Sequence, residues 1–578
     1  MCALLCALNR DRRMQLPRAR KELYDAALDM LLVRRDTERE IAGVEGVYLT
    51  RDEQILLLQR FAYWLIRNGQ VQAGREEAVE LVAEWLEVMP QVQGGPEQVF
   101  THLLIRSGLL REPVKGSVDF VHRTFQDYLG AKAAVESRDF GVLVRNAQDD
   151  TWDDVVRMAV GHARPDERTR ILRGLLKRAD KVKGVRSRLV LLAAACLEHA
   201  PELDPALRRE IEDRTAELLP PRTLEQAEEL AKAGELVLEL LTGPAGLTET
   251  EATNTVRTAQ WVGGHRSLDL IARFGDDARP RVRQEIASGW AFYDTRGYAE
   301  SVLSRTRLED VQLRVGTAAE LAELPRLAGV DRLHLTWNGP LPAEVTALHG
   351  LRNLVLFQNA RLTGLEPLTV FGQLSSLGLY HCRGLTSLDA LTALPLDRLT
   401  LTALPPGLGL RPLAALALTS LSLDFRPTGL RRIADLLAPE GLEWLGLFTA
   451  LRDLSLDGLE NWPALTGLSV SGSSQLAEFC RRPALPALTG LQVLEAEVDP
   501  RLLLAHGKLE RLSLGYCLAP EGLAALAGLP ALKRLSLYGS GSYDVTALAP
   551  LDGLVIEIGR GVKVRGADAV PPERLTLH

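Results

Sequence analysis

A ladder of leucines runs through the C-terminal part of this 578-residue chain. The form Leu-x-x-Leu-x-Leu recurs at Leu351-Leu354-Leu356, Leu374-Leu377-Leu379, Leu396-Leu399-Leu401, Leu418-Leu421-Leu423, Leu509-Leu512-Leu514 and Leu532-Leu535-Leu537. The first four starts step by 23, 22 and 22 residues. A unit of that length has one apolar face that it cannot bury alone, so stacked neighbours must share a core. The pattern restricts this part of the chain to a curved solenoid with a long concave surface, a shape for binding rather than for catalysis.

The period and the leucine spacing are those of leucine-rich repeats, and residues 311–578 are expected to form an α/β solenoid of that kind. On its strands, the residue between paired leucines should face the groove: His334, Val355, Gly378, Thr400, Ser422, Ser513 and Ser536. Next along the strands come Thr336, Phe357, Tyr380, Asp424 and Tyr538. His334, Thr336, Phe357, Tyr380, Asp424 and Tyr538 are therefore the candidate residues for binding a protein partner. Phe357, Tyr380 and His381 are expected side by side, and aromatic residues favour binding hot spots. The competing reading is a solvated face with a few exposed rings. Asn338, Asn359, Cys382 and Cys517 fall at the turn position and should cap backbone groups. Between 425 and 500 the register is ambiguous, because Leu442-Leu445-Leu447 and Leu451-Leu454-Leu456 lie only nine residues apart. The second is expected to be the strand, preceded by a helical insert over Leu430–Leu437. Val555–Ile558 is expected to be the last strand, with the tail capping the open end.

Residues 1–50 read as a helical segment, with Leu23, Ala26, Ala27, Met30 and Leu31 at amphipathic spacing. Pro17 suits a helix start, beside a basic cluster of Arg10, Arg12, Arg13, Arg18 and Arg20 that reads as a solvated face. Over 51–135, helices are expected around Leu56–Trp64, Glu76–Val88 and Glu97–Ser107. A hairpin made from Leu109–Glu112 and Val118–His122 follows, then a helix over Arg123–Val135. Helices followed by a small hairpin describe a winged-helix-like module. Residues 136–310, punctuated by Pro165, Pro201, Pro205, Pro220, Pro221, Pro244 and Pro280, suggest a HEAT-like α-solenoid. Arg281–Trp290 resembles a HEAT-type helix. The fold class is thus multidomain: mainly α, followed by an α/β repeat solenoid.

Composition narrows the function classes. Hydrophobic residues make up 46% and charged residues 25%, an ordinary globular balance. A net charge of −7 gives no reason to expect nucleic-acid or membrane binding. The 58 arginines against 10 lysines indicate a high-GC, bacterial coding sequence. Cys2, Cys6, Cys196, Cys382, Cys480 and Cys517 lack a disulfide-like rhythm, which fits a reducing, cytoplasmic setting. No apolar run approaches the roughly 20 residues of a membrane span. The chain contains no Gly-x-x-x-x-Gly-Lys-Ser/Thr, His-Glu-x-x-His, Cys-x-x-Cys or Gly-x-Ser-x-Gly, so neither catalysis nor a metal site is expected.

One motif is specific. Phe120-Val121-His122-Arg123-Thr124-Phe125-Gln126-Asp127-Tyr128-Leu129 resembles the Phe-x-His-x-x-Phe-Gln-Glu-Tyr/Phe signature that closes the winged-helix domain of NACHT-type (STAND) signalling NTPases. Asp127 stands where the family pattern has Glu. The resemblance covers residues 1–135, and the solenoid-plus-repeat layout matches the family's sensor half. It implies that His122 reaches the β-phosphate of ADP and holds a closed state; an imidazole N–H is a sensible phosphate donor. The alternative is a histidine that only packs at the strand–helix junction. The family's P-loop core has no counterpart in this sequence, so ADP or ATP with Mg is expected only when a NACHT core is joined to it. The apolar opening Met1–Leu8 suggests the back part of a longer product or of a split gene. Three readings follow: the regulatory and sensor half of a NACHT-type signalling ATPase with a role in bacterial defence or signalling, a free-standing repeat adaptor, or a truncated gene remnant. The partners implied are a protein ligand on the repeats and a NACHT domain encoded upstream. No basic recognition helix stands out, so no nucleic acid is expected.

Overall fold

The computed structural model describes residues 20–34, 47–519, 522–559 and 561–577. The apolar opening with Cys2 and Cys6, Pro17 and most of the basic cluster lie outside the described residues. The chain divides into two compact units, 1–270 and 271–578. The division falls within the stretch read from sequence as a single solenoid over 136–310.

The first unit opens on α1 (Arg20–Asp29), which runs into a π-turn, Met30–Arg34. α2 (Arg51–Arg67) starts on a capping box in which Thr50 and Glu53 satisfy each other's backbone N–H. Then come β1 (Gln72–Gly74), α3 (Arg75–Leu86), α4 (Pro96–Arg106), β2 (Leu110–Val114), β3 (Ser117–Phe120) and α5 (Arg123–Glu136). The hairpin forms as expected. A third strand, β1, joins it, giving the antiparallel order β1–β3–β2. Leu57, Leu58, Leu65, Phe100 and Tyr128 are completely buried, and Phe61 stacks on Phe120 with centroids 5.9 Å apart. α5 packs on α2. Gly130 permits this close approach, since a Cβ there would lie 2.3 Å from Ile66 Cδ1. The unit continues through α6 (Phe140–Asn146), α7 (Asp153–His162), α8 (Pro165–Lys181), α9 (Arg186–Ala195), α10 (Pro205–Leu218), α11 (Leu224–Ala231), α12 (Glu235–Leu240), α13 (Glu249–Val262) and α14 (Gly264–Ala272). Pro165 and Pro205 occupy first-turn positions, where a missing N–H costs nothing.

The first helix wholly within the second unit is α15 (Pro280–Ser288), the segment likened above to a HEAT helix. It packs on the first strand of the repeat sheet. The Gln284 side chain donates to Gln312 O (3.1 Å) and accepts from Gln312 N (2.9 Å), covering an edge that would otherwise be open to pairing.

The repeat sheet is parallel and 13-stranded. Its strands are β4 (Gln312–Val315), β5 (Arg332–Thr336), β6 (Asn353–Phe357), β7 (Ser376–Tyr380), β8 (Arg398–Thr402), β9 (Ser420–Asp424), β10 (Trp444–Leu447), β11 (Gly467–Ser471), β12 (Gly490–Leu494), β13 (Arg511–Gly515), β14 (Arg534–Tyr538), β16 (Val555–Ile558) and β18 (Leu575–Leu577). β15 (Ser542–Asp544) and β17 (Lys563–Arg565) form a separate two-stranded ribbon. Leucines at alternate positions, such as Leu354, Leu356, Leu377 and Leu379, are buried, and 3₁₀ turns return the chain between strands. The architecture is therefore a helical region followed by a leucine-rich repeat solenoid.

Three expectations are corrected. The strand at the ambiguous place is the first leucine triplet. Trp444–Leu447 pairs with both β9 and β11, whereas Leu451 ends a 3₁₀ turn and Leu454 and Leu456 are buried beside it. Leu430–Leu437 is not a helix. Arg432 is extended and bridges to Ser455, leaving one 3₁₀ turn at Ile433–Asp435. Val555–Ile558 is not the last strand, because Leu575–Leu577 pairs beyond it.

Candidate recognition face and the His122 segment

The pleat sends alternate residues of each strand to opposite faces, and the parallel register lines up the outward ones. His334 pairs with Val355, and Val355 with Gly378; Thr336 pairs with Phe357, and Phe357 with Tyr380. His381 follows β7 in the left-handed conformation (φ 56°), and its backbone N–H donates to Thr402 O at 3.0 Å. That turn brings its ring against Phe357. The ring centroids lie 5.6 Å apart for His334–Phe357, 6.2 Å for Phe357–Tyr380 and 5.7 Å for Phe357–His381, the last pair edge-on at 82°. These are favourable aromatic separations. All four rings are partly exposed. Burial, and then the nearby Arg314, lower the pKa of His334, so its ring is neutral near pH 7.

Of the candidates named from sequence, His334, Thr336, Phe357 and Tyr380 are brought together. Asp424 and Tyr538 stand elsewhere on the face. Asp424 lies two strands beyond Tyr380 and accepts the Ala450 N–H at 3.0 Å, anchoring the turn after β10. Tyr538 lies on β14, seven strands from β7, and its hydroxyl is bonded by the Gln492 amide. At roughly 4.8 Å per strand that is about 34 Å along the sheet.

Glycines under aromatic rings are a feature that the sequence reading missed. A Cβ at Gly378 would come within 2.8 Å of the Tyr380 ring, at Gly467 within 2.2 Å of Trp444 and at Gly515 within 2.4 Å of Tyr538. The rings lie down against the sheet where no side chain holds them off. The signal was present in Gly378-Leu379-Tyr380 and Gly446-Leu447-Phe448. The turn residues act as expected: Asn359 takes the Gly339 N–H (3.0 Å) and donates to its carbonyl (2.7 Å), and Cys382 and Cys517 point their thiols at strand carbonyls.

His122 caps the N-terminus of α5. Its Nδ1 accepts from the Thr124 N–H at 3.3 Å and lies 2.7 Å from Thr124 Oγ1. Because Nδ1 accepts, the neutral ring carries its proton on Nε2, leaving one outward donor on an exposed side chain. One imidazole donor suits a phosphate oxygen. A nucleotide also needs a glycine-rich cradle of backbone N–H groups, and this sequence holds no such loop. Within α5, one early N–H is already taken by His122 itself. Among the described residues, no helix is long and apolar enough to cross a membrane, and no group of three or more His, Cys, Asp or Glu side chains is arranged to hold a metal.

No family model matches the chain, and no curated protein matches it. Solved structures are similar to part of the chain. One is an internalin from Listeria monocytogenes, at 17% identity over 51% of this chain and 92% of that one, with a TM-score of 0.28. A leucine-rich repeat protein from Leptospira interrogans overlaps at 20% identity over 45% and 74%, with a TM-score of 0.28. The ectodomain of a plant receptor kinase from Arabidopsis thaliana, solved in complex with a Casparian strip integrity factor, overlaps at 16% identity over 44% and 37%, with a TM-score of 0.22. Overlaps this weak decide nothing about function, and the repeat architecture stands on the chain's own parallel sheet and leucine register.

Proposed function

We propose that this protein is the regulatory and sensor half of a NACHT-type signalling ATPase, and that its repeat face captures a protein trigger. The observation that carries the reading is the cluster of His334, Phe357, Tyr380 and His381, four neighbouring rings on one open sheet face. Rings held by strand register lose little entropy on binding, which suits a hot spot. The helix–strand–helix–helix–hairpin–helix order over 51–136 supports a winged-helix module, with the signature motif at the hairpin's exit. In this reading His122 donates Nε2–H to a phosphate of ADP when a P-loop core is supplied, and trigger binding releases that contact.

The test has two arms. Affinity enrichment from the source cells is run with the native chain and with Phe357→Ala/Tyr380→Ala. A partner retained by the first and lost by the second, with circular dichroism unchanged, supports the reading; identical partner sets refute it. With a NACHT core supplied, His122→Ala is expected to retain less ADP, and equal retention would reduce His122 to a helix cap. An adaptor is the second reading, and partner binding insensitive to nucleotide would favour it.

A further inference from the structure

In the first unit, a groove of about 690 Å³ runs between α6 and α8. Six cations line it: Arg145 from α6, and Arg170, Arg173, Lys177, Arg178 and Lys181 from α8. Among the described residues, Asp166 is the one acid on its walls. Residues 170, 173, 177 and 181 recur at helical spacing and form one stripe. At 1.5 Å per residue that stripe is about 16 Å long. Between the cations the lining is apolar: Phe140 is buried, Val144 half-buried, and Val182, just past the end of α8, is 37% exposed.

These cations lack the carboxylates that hold others in the same unit. Arg157, Arg188 and Arg214 meet Glu239, Asp153 and Asp180 at 2.8, 2.5 and 2.6 Å. In the groove, Arg173 alone is paired among the described residues, with Asp204 at 3.0 Å. Arg170 lies over the Phe140 ring, 5.3 Å from its centroid. Arg178 donates to the neutral side-chain oxygen of Gln148 at 2.8 Å, and its buried Nε has no partner among the described residues. Arg145, Lys177 and Lys181 have no ion pair or hydrogen bond among the described residues. Like charges one helical turn apart repel, so the stripe stores a repulsion that an anion would relieve.

We propose that this groove receives an acidic segment of a partner protein, with its carboxylates on the α8 stripe and an apolar side chain over Val144 and Val182. Clusters of arginine and lysine recognise acidic motifs in this way, and carboxylates spaced by a helical turn match cations spaced by one. A single-stranded nucleic acid needs rings on which its bases stack, whereas Phe140, the one ring lining the groove among the described residues, is buried beneath Arg170. A small inorganic anion would leave most of the stripe unneutralised. The site depends neither on the repeat face nor on any nucleotide contact by His122.

The test uses the full chain and fluorescence anisotropy of a labelled peptide that repeats Glu-Glu-Leu. Lys177→Glu/Lys181→Glu is compared with Lys115→Glu/Lys563→Glu, an equal change of net charge at exposed positions away from the groove. Lys177 and Lys181 are themselves exposed; an unfolding scan checks each variant, and Lys177→Ala/Lys181→Ala serves if the reversal disturbs folding. The expected result is saturable binding to the native chain, weakened at least tenfold by the groove variant and little changed by the distant pair, with no binding of a Gln-Gln-Leu repeat. No saturable binding, or equal weakening by both variants, overturns the proposal. Displacement of the peptide by an equimolar oligothymidylate or by inorganic tripolyphosphate also overturns it, because the groove would then prefer phosphate to an acidic protein segment.

Discussion

Replacing Asp127 with asparagine isolates the cost of burying one charge. Burial pushes the Asp127 carboxyl from 3.8 up to about 7; Arg123 opposes that rise and Asp154 adds to it. A displacement of about three pH units is worth ~4 kcal/mol at roughly 1.4 kcal/mol per unit. The sign follows from proton counting. Between about pH 4 and pH 7 the folded chain keeps a proton that the unfolded chain has released, so stability falls as pH rises through that window. Above pH 7 both states are ionised and the full penalty is present. Asparagine keeps the shape without the charge. By differential scanning calorimetry of the first unit's transition, Asp127→Asn is expected to differ little from the native chain near pH 4 and to exceed it at pH 8, by up to ~4 kcal/mol. A variant that unfolds at or below the native temperature at pH 8 would refute the argument, because burial would then not be what raises this carboxyl.

Two further outcomes concern the repeats. Ala403 sits in the left-handed conformation (φ 51°), where a Cβ is strained, so Ala403→Gly is expected to stabilise the second unit by about 0.5–1 kcal/mol in urea unfolding, and destabilisation would count against that strain. Asn359 is 1% exposed and satisfies both the N–H and C=O of Gly339; Asn359→Ala is expected to cost roughly 2–4 kcal/mol, and a loss below 0.5 kcal/mol would show that water replaces it.

The regular repeats were legible because their strand leucines are all buried, and burial repeats with the period. The stretch 425–500 was misread because both competing triplets bury their leucines: Leu442, Leu445 and Leu447, and also Leu451, Leu454 and Leu456. Spacing separates them. Leu421, Leu445, Leu468 and Leu491 step by 24, 23 and 23 residues, and their strands pair in sequence. β11 and β12 escaped notice because glycine precedes the leucine and valine replaces the second one. The left-handed residues Gln358, Ala403, Glu495 and Tyr516 were not legible, since none is a type that announces that conformation. On the recognition face, register predicts which rings are neighbours; it does not show that Asp424 is occupied by Ala450. The groove between α6 and α8 was invisible because its walls come from separate segments between residues 140 and 182.

The most direct measurement is site-specific photo-crosslinking in the source cells. A benzophenone amino acid is placed at Phe357 on the sheet face and, separately, at Leu504, which is 42% exposed on the 3₁₀ side of its repeat. If the aromatic face is the recognition surface, one protein is captured from position 357 and not from 504, and an excess of unlabelled native chain suppresses the capture. Equal capture from both positions, or none from 357, would contradict it.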